Sequence, residues 1–120
     1  MIITEEGRLM LNTGQPGMVL KMRAKAGKGE ALFELTNKLH YNGDPDGPVD
    51  WVLCRDANDP DILWAFEFYK DADSFRRHYN DPSLDAGHDK VLELLAEMPT
   101  RVEVHAVFSG FQAKNFKGEI

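Results

Sequence analysis

Two histidines stand where helical spacing turns them toward an apolar interior. His88 follows Leu84 by one turn and precedes Val91, so its ring is expected to face a sheet. His78 comes three residues after Phe75, at the edge of the inner stripe of the preceding helix. Imidazole exchanges protons near neutral pH and also binds metals. The pair therefore points to proton transfer at an apolar pocket. The alternative is that each ring donates to a backbone carbonyl in or beside the core, since burial alone does not make a catalyst. Glu67, between Phe66 and Phe68, is expected to face an interface between two sheets, either as a base or paired with Arg23 or Arg101. His105 has the same strand phase as Glu67 and the same explanation. Trp51, Trp64, Phe66, Phe75 and Phe33 supply aromatic surface, either as core or as walls for a planar aromatic ligand. Met18 and Met22 suit both readings, because methionine fills gaps and lines adaptable pockets. Cys54 is the only cysteine and reads as a packed thiol, with no intrachain disulfide open to it.

The elements that must position these residues follow from periodicity. Met18, Leu20, Met22 and Ala24 alternate with Lys21, Arg23 and Lys25, which predicts a strand covered on one side. Ala31, Leu32, Leu35 and Leu39 recur at helical spacing over Glu30 to His40, with Asn42-Gly43 as the stop. Val49 to Arg55 and Ile62 to Tyr69 read as a hairpin joined by Asp56-Ala57-Asn58-Asp59-Pro60. The second strand is apolar on both faces: Ile62, Trp64, Phe66 and Phe68 on one, Leu63 and Ala65 on the other. Asp71 caps a short helix running to about Tyr79. Asp81 caps another, with Pro82 at its first position, running to about Glu97 with Leu84, His88, Val91, Leu92 and Leu95 inward. Arg101 to Phe108 is a last alternating strand.

Strand, helix, two strands, helices and a final strand make an α+β domain of the ferredoxin-like βαββαβ type, an antiparallel sheet with helices on one face. The doubly apolar strand Ile62 to Tyr69 needs cover on both sides, and the simplest second cover is the sheet of an identical chain. A homodimer is thus expected from pattern. The expected organisation is a lead-in over 1–16, one domain over 17–109 and a tail over 110–120.

With 120 residues, 42% hydrophobic and 28% charged, the chain has the makings of one folded domain and not of a disordered one. A net charge of -6 repels nucleic acid and anionic lipid, so neither is an expected partner. No secretory leader or membrane-spanning run is visible, which makes the cytoplasm the expected location. The P-loop, GxGxxG, HExxH, paired CxxC and GxSxG patterns are all absent.

The run Trp64-Ala65-Phe66-Glu67-Phe68-Tyr69-Lys70-Asp71, followed by Ala72, Phe75 and His78, resembles the antibiotic biosynthesis monooxygenase family. There an aromatic-Glu-x-aromatic strand precedes a helix carrying an alanine and then a histidine. Asn80-Asp81-Pro82-Ser83 to Leu95 matches the family's next helix, and the resemblance spans Met18 to Phe108. It implies a dimeric α+β barrel and, in several members, oxygenation of electron-rich quinols or polyketide anthrones without flavin, metal or haem. Molecular oxygen is then the co-substrate. Under the resemblance His78 or His88 is the base, and Trp64, Phe66, Met22 and Phe75 are the pocket walls. The alternatives are a non-catalytic small-ligand or regulatory dimer and a haem-degrading oxygenase. The haem branch is matched at His88. It departs at His78, where that branch has tryptophan, and at Met22, where it has asparagine.

Overall fold

The computed structural model describes residues 14–40 and 44–107. Expectations for the lead-in up to residue 13, for the Asn42-Gly43 stop and for Phe108 onward lie outside these residues. The element order is β1 (Pro16–Arg23), α1 (Gly29–His40), β2 (Asp50–Arg55), β3 (Ile62–Phe68), α2 (Ala72–Asn80), α3 (Asp85–Leu94) and β4 (Thr100–His105). The four strands form one antiparallel sheet in the order β2-β3-β1-β4, the ferredoxin-like arrangement expected from the strand and helix sequence.

Register decides which side chains meet the helices. Met22 pairs with Leu63, Leu20 with Ala65 and Met18 with Glu67. Directly opposite residues share a face. Met22 and Leu63 join Ala24, Leu32 and Leu95 in the buried core, with Phe33, Leu53, Val91 and Leu94 packed against it. That face is therefore the helix side, and it includes Ala65 and Glu67. The far face carries a row across all four strands, Val52, Phe66, Val19 and Val102. Val52 is 37% exposed and Val102 52%, so the row is uncovered within one chain.

Helix α2 and the turn after it begin at aspartate caps. Asp71 accepts from the Ser74 backbone N–H at 2.7 Å, and such caps contribute about 1 kcal/mol. Asp81 likewise accepts from the Ser83 N–H. The single long helix expected after Asp81 is instead a 3-10 turn over Pro82–Leu84 followed by α3, which ends at Leu94. Leu95 leaves the helix with extended backbone, and Ala24 and Leu95 form an antiparallel bridge between β1 and the chain after α3. That bridge buries Leu95 to 7% exposure. At the other end of the core, Asp61 accepts from the Gly27 and Gly29 N–H groups at 3.1 and 3.0 Å, tying the start of α1 to the β2–β3 hairpin.

Candidate functional site

Between the helices and the sheet lies a cavity of about 180 Å³. Its apolar lining includes Leu20, Met22, Leu39, Leu84 and Val91, and its polar lining includes His40, Glu67, His78, His88 and Arg101. The sheet, α1, α2 and α3 thus each contribute side chains.

Glu67 is 5% exposed and points to the helices, so the expected placement at a sheet–sheet interface is corrected. Its parity with Leu63 and Ala65 puts it there. Its partner is also not Arg23 or Arg101. Arg23 bonds Asp59 and Glu97, and Glu67 Oε2 is bonded to Nε2 of His40. His40 Nδ1 lies 2.8 Å from the Thr36 carbonyl oxygen. A carbonyl can only accept, so Nδ1 carries a proton, and one further proton is shared between Nε2 and the carboxyl. Burial disfavours the charged ring. The hydrogen bonds with Glu67 and Thr36 and the Glu67 charge outweigh it, and the His40 pKa is raised. The Tyr79 and Tyr69 hydroxyls approach Glu67 Oε1 at 3.3 and 3.4 Å. Burial, and then the neighbouring carboxylate, push both phenols well above their ordinary range, so they are donors and not anions. With both ring nitrogens engaged, His40 has no lone pair to offer a ligand.

His78 is arranged differently. Its Nδ1 lies 2.7 Å from Asp44 Oδ2. The carboxylate accepts, so the proton of this hydrogen bond is on Nδ1, and Nε2 is the ring nitrogen turned away from Asp44. Asp44 is itself held by the Asp46 backbone N–H at 2.9 Å. Asp46 in turn takes the Arg77 guanidinium at 2.9 and 3.0 Å, so two carboxylates of one loop grip α2. The Tyr69 and Tyr79 rings pack 5.2 Å from the His78 ring. A histidine oriented in this way by a carboxylate has the geometry that general bases use, and it lies on a helix whose inner stripe is aromatic.

His88 lines the same cavity but is exposed on its outer side. Partial burial lowers its pKa, and the nearby His78 and Arg101 lower it further. It is therefore a neutral imidazole at neutral pH. Arg101 sits opposite Leu20 on β4, on the helix side, and also lines the cavity.

Of the side chains expected to form a pocket, the structure brings His78, His88 and Met22 to one cavity. Trp64 and Phe66 are placed elsewhere: both lie on the far face of the sheet, by the same parity that turns Glu67 inward. Trp64 donates its indole N–H to Asp56 at 3.0 Å and carries Lys21 over its ring. Phe75 packs on Tyr69 and Tyr79 behind the site, at 5.1 and 4.9 Å, and is not in the cavity lining among the described residues. His105 shares the register of Pro16 on β4 and is exposed. Sequence reading missed His40 and Asp44. The signal for His40 was present, since it follows Thr36 by four residues on the inner side of α1. Asp44 lies in a loop, where no periodicity points.

A sheet of this order, with helices on one face and a largely apolar cavity beneath them, defines a small α+β domain of the ferredoxin-like class. The family model for antibiotic biosynthesis monooxygenase matches residues 17–90, and the chain belongs to that family. Among solved structures it is similar to a protein of Chloroflexus aurantiacus J-10-fl assigned to antibiotic biosynthesis monooxygenases. The identity is 25%, with 79% of this chain and 95% of that chain covered and a TM-score of 0.67. A Nitrosomonas europaea protein of the same assignment has 22% identity, 83% and 97% coverage and a TM-score of 0.70. SnoaB, a cofactor-independent oxygenase from Streptomyces nogalater, has 18% identity, 82% and 98% coverage and a TM-score of 0.66. The last two likenesses are of fold. No curated protein matches the chain. Among the described residues, no helix is long and apolar enough to cross a membrane.

Proposed function

We propose that the protein is a cofactor-independent monooxygenase that oxidises a small electron-rich aromatic in the cavity between sheet and helices. The observation that carries this reading is His78 at the cavity wall, with Asp44 fixing its proton on the far nitrogen. A quinol held against Nε2 loses a hydroxyl proton to it. The resulting anion is electron-rich enough to pass an electron to oxygen. Recombination at a ring carbon forms a hydroperoxide, and loss of water leaves a hydroxyquinone. One oxygen atom ends on the ring and the other in water, and the two hydroxyl hydrogens and the ring hydrogen balance the product hydroxyl and the water. The protein supplies the base, a water-poor apolar wall from Leu20, Met22, Leu39 and Val91, and hydrogen bonding from His88 to the developing anion.

The family and the SnoaB fold likeness support the reaction class. The working form is a homodimer, with the Val52, Phe66, Val19 and Val102 row of one sheet packed on that of a second copy. A purely structural dimer module would need no cavity at His78 and His88, yet both line one.

Oxygen uptake with benzene-1,4-diol tests the reading. His78→Ala is expected to lower kcat/KM by about 100-fold or more, the lower end of what a positioned base supplies. Asp44→Asn is expected to lower it less, in the same direction. Full turnover by His78→Ala would refute the assignment. A ligand-induced thermal shift without oxygen uptake in the wild type would favour a binding module instead.

A further inference from the structure

Two polar groups of the cavity are not used by the base and its supports. Thr36 is 6% exposed and belongs to the lining, and its Oγ1 is buried with no hydrogen-bond partner among the described residues. A buried hydroxyl in this state is an exception among native side chains and invites a partner from whatever fills the space. Arg101 also belongs to the lining and forms no ion pair among the described residues, although the chain carries 20 acidic residues against 14 Lys and Arg. It is exposed as well as part of the lining, so it stands at the open edge of the same space. Among the described residues, the cavity therefore has an unpartnered hydroxyl among its apolar walls and a guanidinium without an ion pair at its edge.

Size narrows the ligand further. An apolar cavity of about 150 Å³ holds one benzene ring. A volume of about 180 Å³ adds room for small substituents and not for two further fused rings. A three-ring frame would have to project past Met98, which is 77% exposed at the rim.

We propose that the cavity is selective for a single-ring quinol bearing a carboxylate, with one ring hydroxyl bonded to Thr36 Oγ1 and the carboxylate bonded to Arg101. Guanidinium and carboxylate match in shape and charge and can form two parallel hydrogen bonds. The ring lies against Leu20, Met22, Leu39 and Val91, and the remaining hydroxyl meets His78. This rests on the oxygenase reading only for what happens after binding. Recognition itself needs no oxygen.

The test separates the two. Binding is measured anaerobically by calorimetry on the full chain, with 2,5-dihydroxybenzoate, benzene-1,4-diol and a three-ring anthrone as probes. The acid is expected to bind about tenfold tighter than the neutral diol, with the anthrone weaker than both. Arg101→Gln is expected to abolish the preference for the acid over the diol, and Arg101→Lys to restore part of it. The exposed position of Arg101 lets these variants fold. Thr36→Val, nearly equal in shape, is expected to weaken both quinols alike. Equal affinity for acid and diol, a preference that survives Arg101→Gln, or tighter binding of the anthrone would each overturn the proposal. Oxygen uptake is then read separately. The predicted preference without uptake leaves the selectivity standing and removes the oxygenase, whereas uptake without the preference does the reverse.

Discussion

Replacing His40 by leucine strands a carboxylate, and the size of the effect follows from the geometry. The His40 and Glu67 side chains are each 7% exposed, so neither is solvated to any useful degree. Without the imidazole, Glu67 Oε2 has no donor, and Oε1 keeps only the tyrosine hydroxyls at 3.3 and 3.4 Å. Removing one partner of a buried pair costs about 3–5 kcal/mol. For a domain near this size each kcal/mol moves Tm by roughly 4 °C, so His40→Leu is expected to melt at least about 12 °C lower at neutral pH. Loss of the ring contact with Trp51, at 4.7 Å, adds to this only in part, because leucine refills the space. The sign in the wild type is fixed by the raised pKa of His40. Its stabilisation is fully present below the unfolded value of about 6.5 and is lost as pH rises through the folded value. The double variant His40→Leu/Glu67→Gln removes the charge and keeps an acceptor for the tyrosines, and is expected to recover more than half of the loss. Urea unfolding of the three proteins, and of the wild type below and above the His40 value, reads all of this. A deficit under about 1 kcal/mol would refute a buried shared proton.

Three other outcomes follow from features already described. Proton NMR of His88 is expected to titrate below the ordinary histidine value, and Arg101→Gln to move its midpoint upward; an unmoved midpoint would mean the guanidinium does not act on the ring. Gly29→Ala is expected to destabilise by about 1–3 kcal/mol, because an added Cβ overlaps the Pro60 carbonyl oxygen and backbone cannot yield; a neutral result in thermal melts would contradict that packing. Phe66→Asp, on the uncovered face, is expected to give a monomer by light scattering with the anaerobic affinity for quinols retained, and a stable dimer would place the interface elsewhere.

The strand order and the face of β1 were legible because Met18, Leu20 and Met22 alternate against charged neighbours, a pattern only a half-covered strand requires. Position 67 was not, and the reason is physical. Strand β3 is apolar on both parities, so hydrophobicity alone does not say which faces the helices. The bulky parity, Trp64 and Phe66, suggests a pocket. Helices approach closest over the small one, and Ala65 is fully buried there. Once β1 is paired with β3, Glu67 must share the side of Met18. The break between the 3-10 turn and α3 was hidden for a similar reason, since Leu84 to Leu95 keeps helical spacing through it. His78 and His88 were legible as inward-tending residues. Asp44 was not, since a loop carboxylate carries no spacing that points across 34 residues to its histidine.

Helix α1 has 12 residues, and its first is fixed by Asp61 and by the close approach of Gly29 to Pro60. At about 1.5 Å per residue, its last residue stands roughly 17 Å from that anchor. That last residue is His40. The helix therefore works as a measuring rod, with a hairpin contact as its zero mark and the shared proton at its far graduation. One residue inserted or deleted between them would turn the imidazole by about 100° and carry it off Glu67. Length, and not only composition, is thus under constraint along this segment. The Gly29 contact, remote from the cavity, belongs to the site as much as the groups that line it.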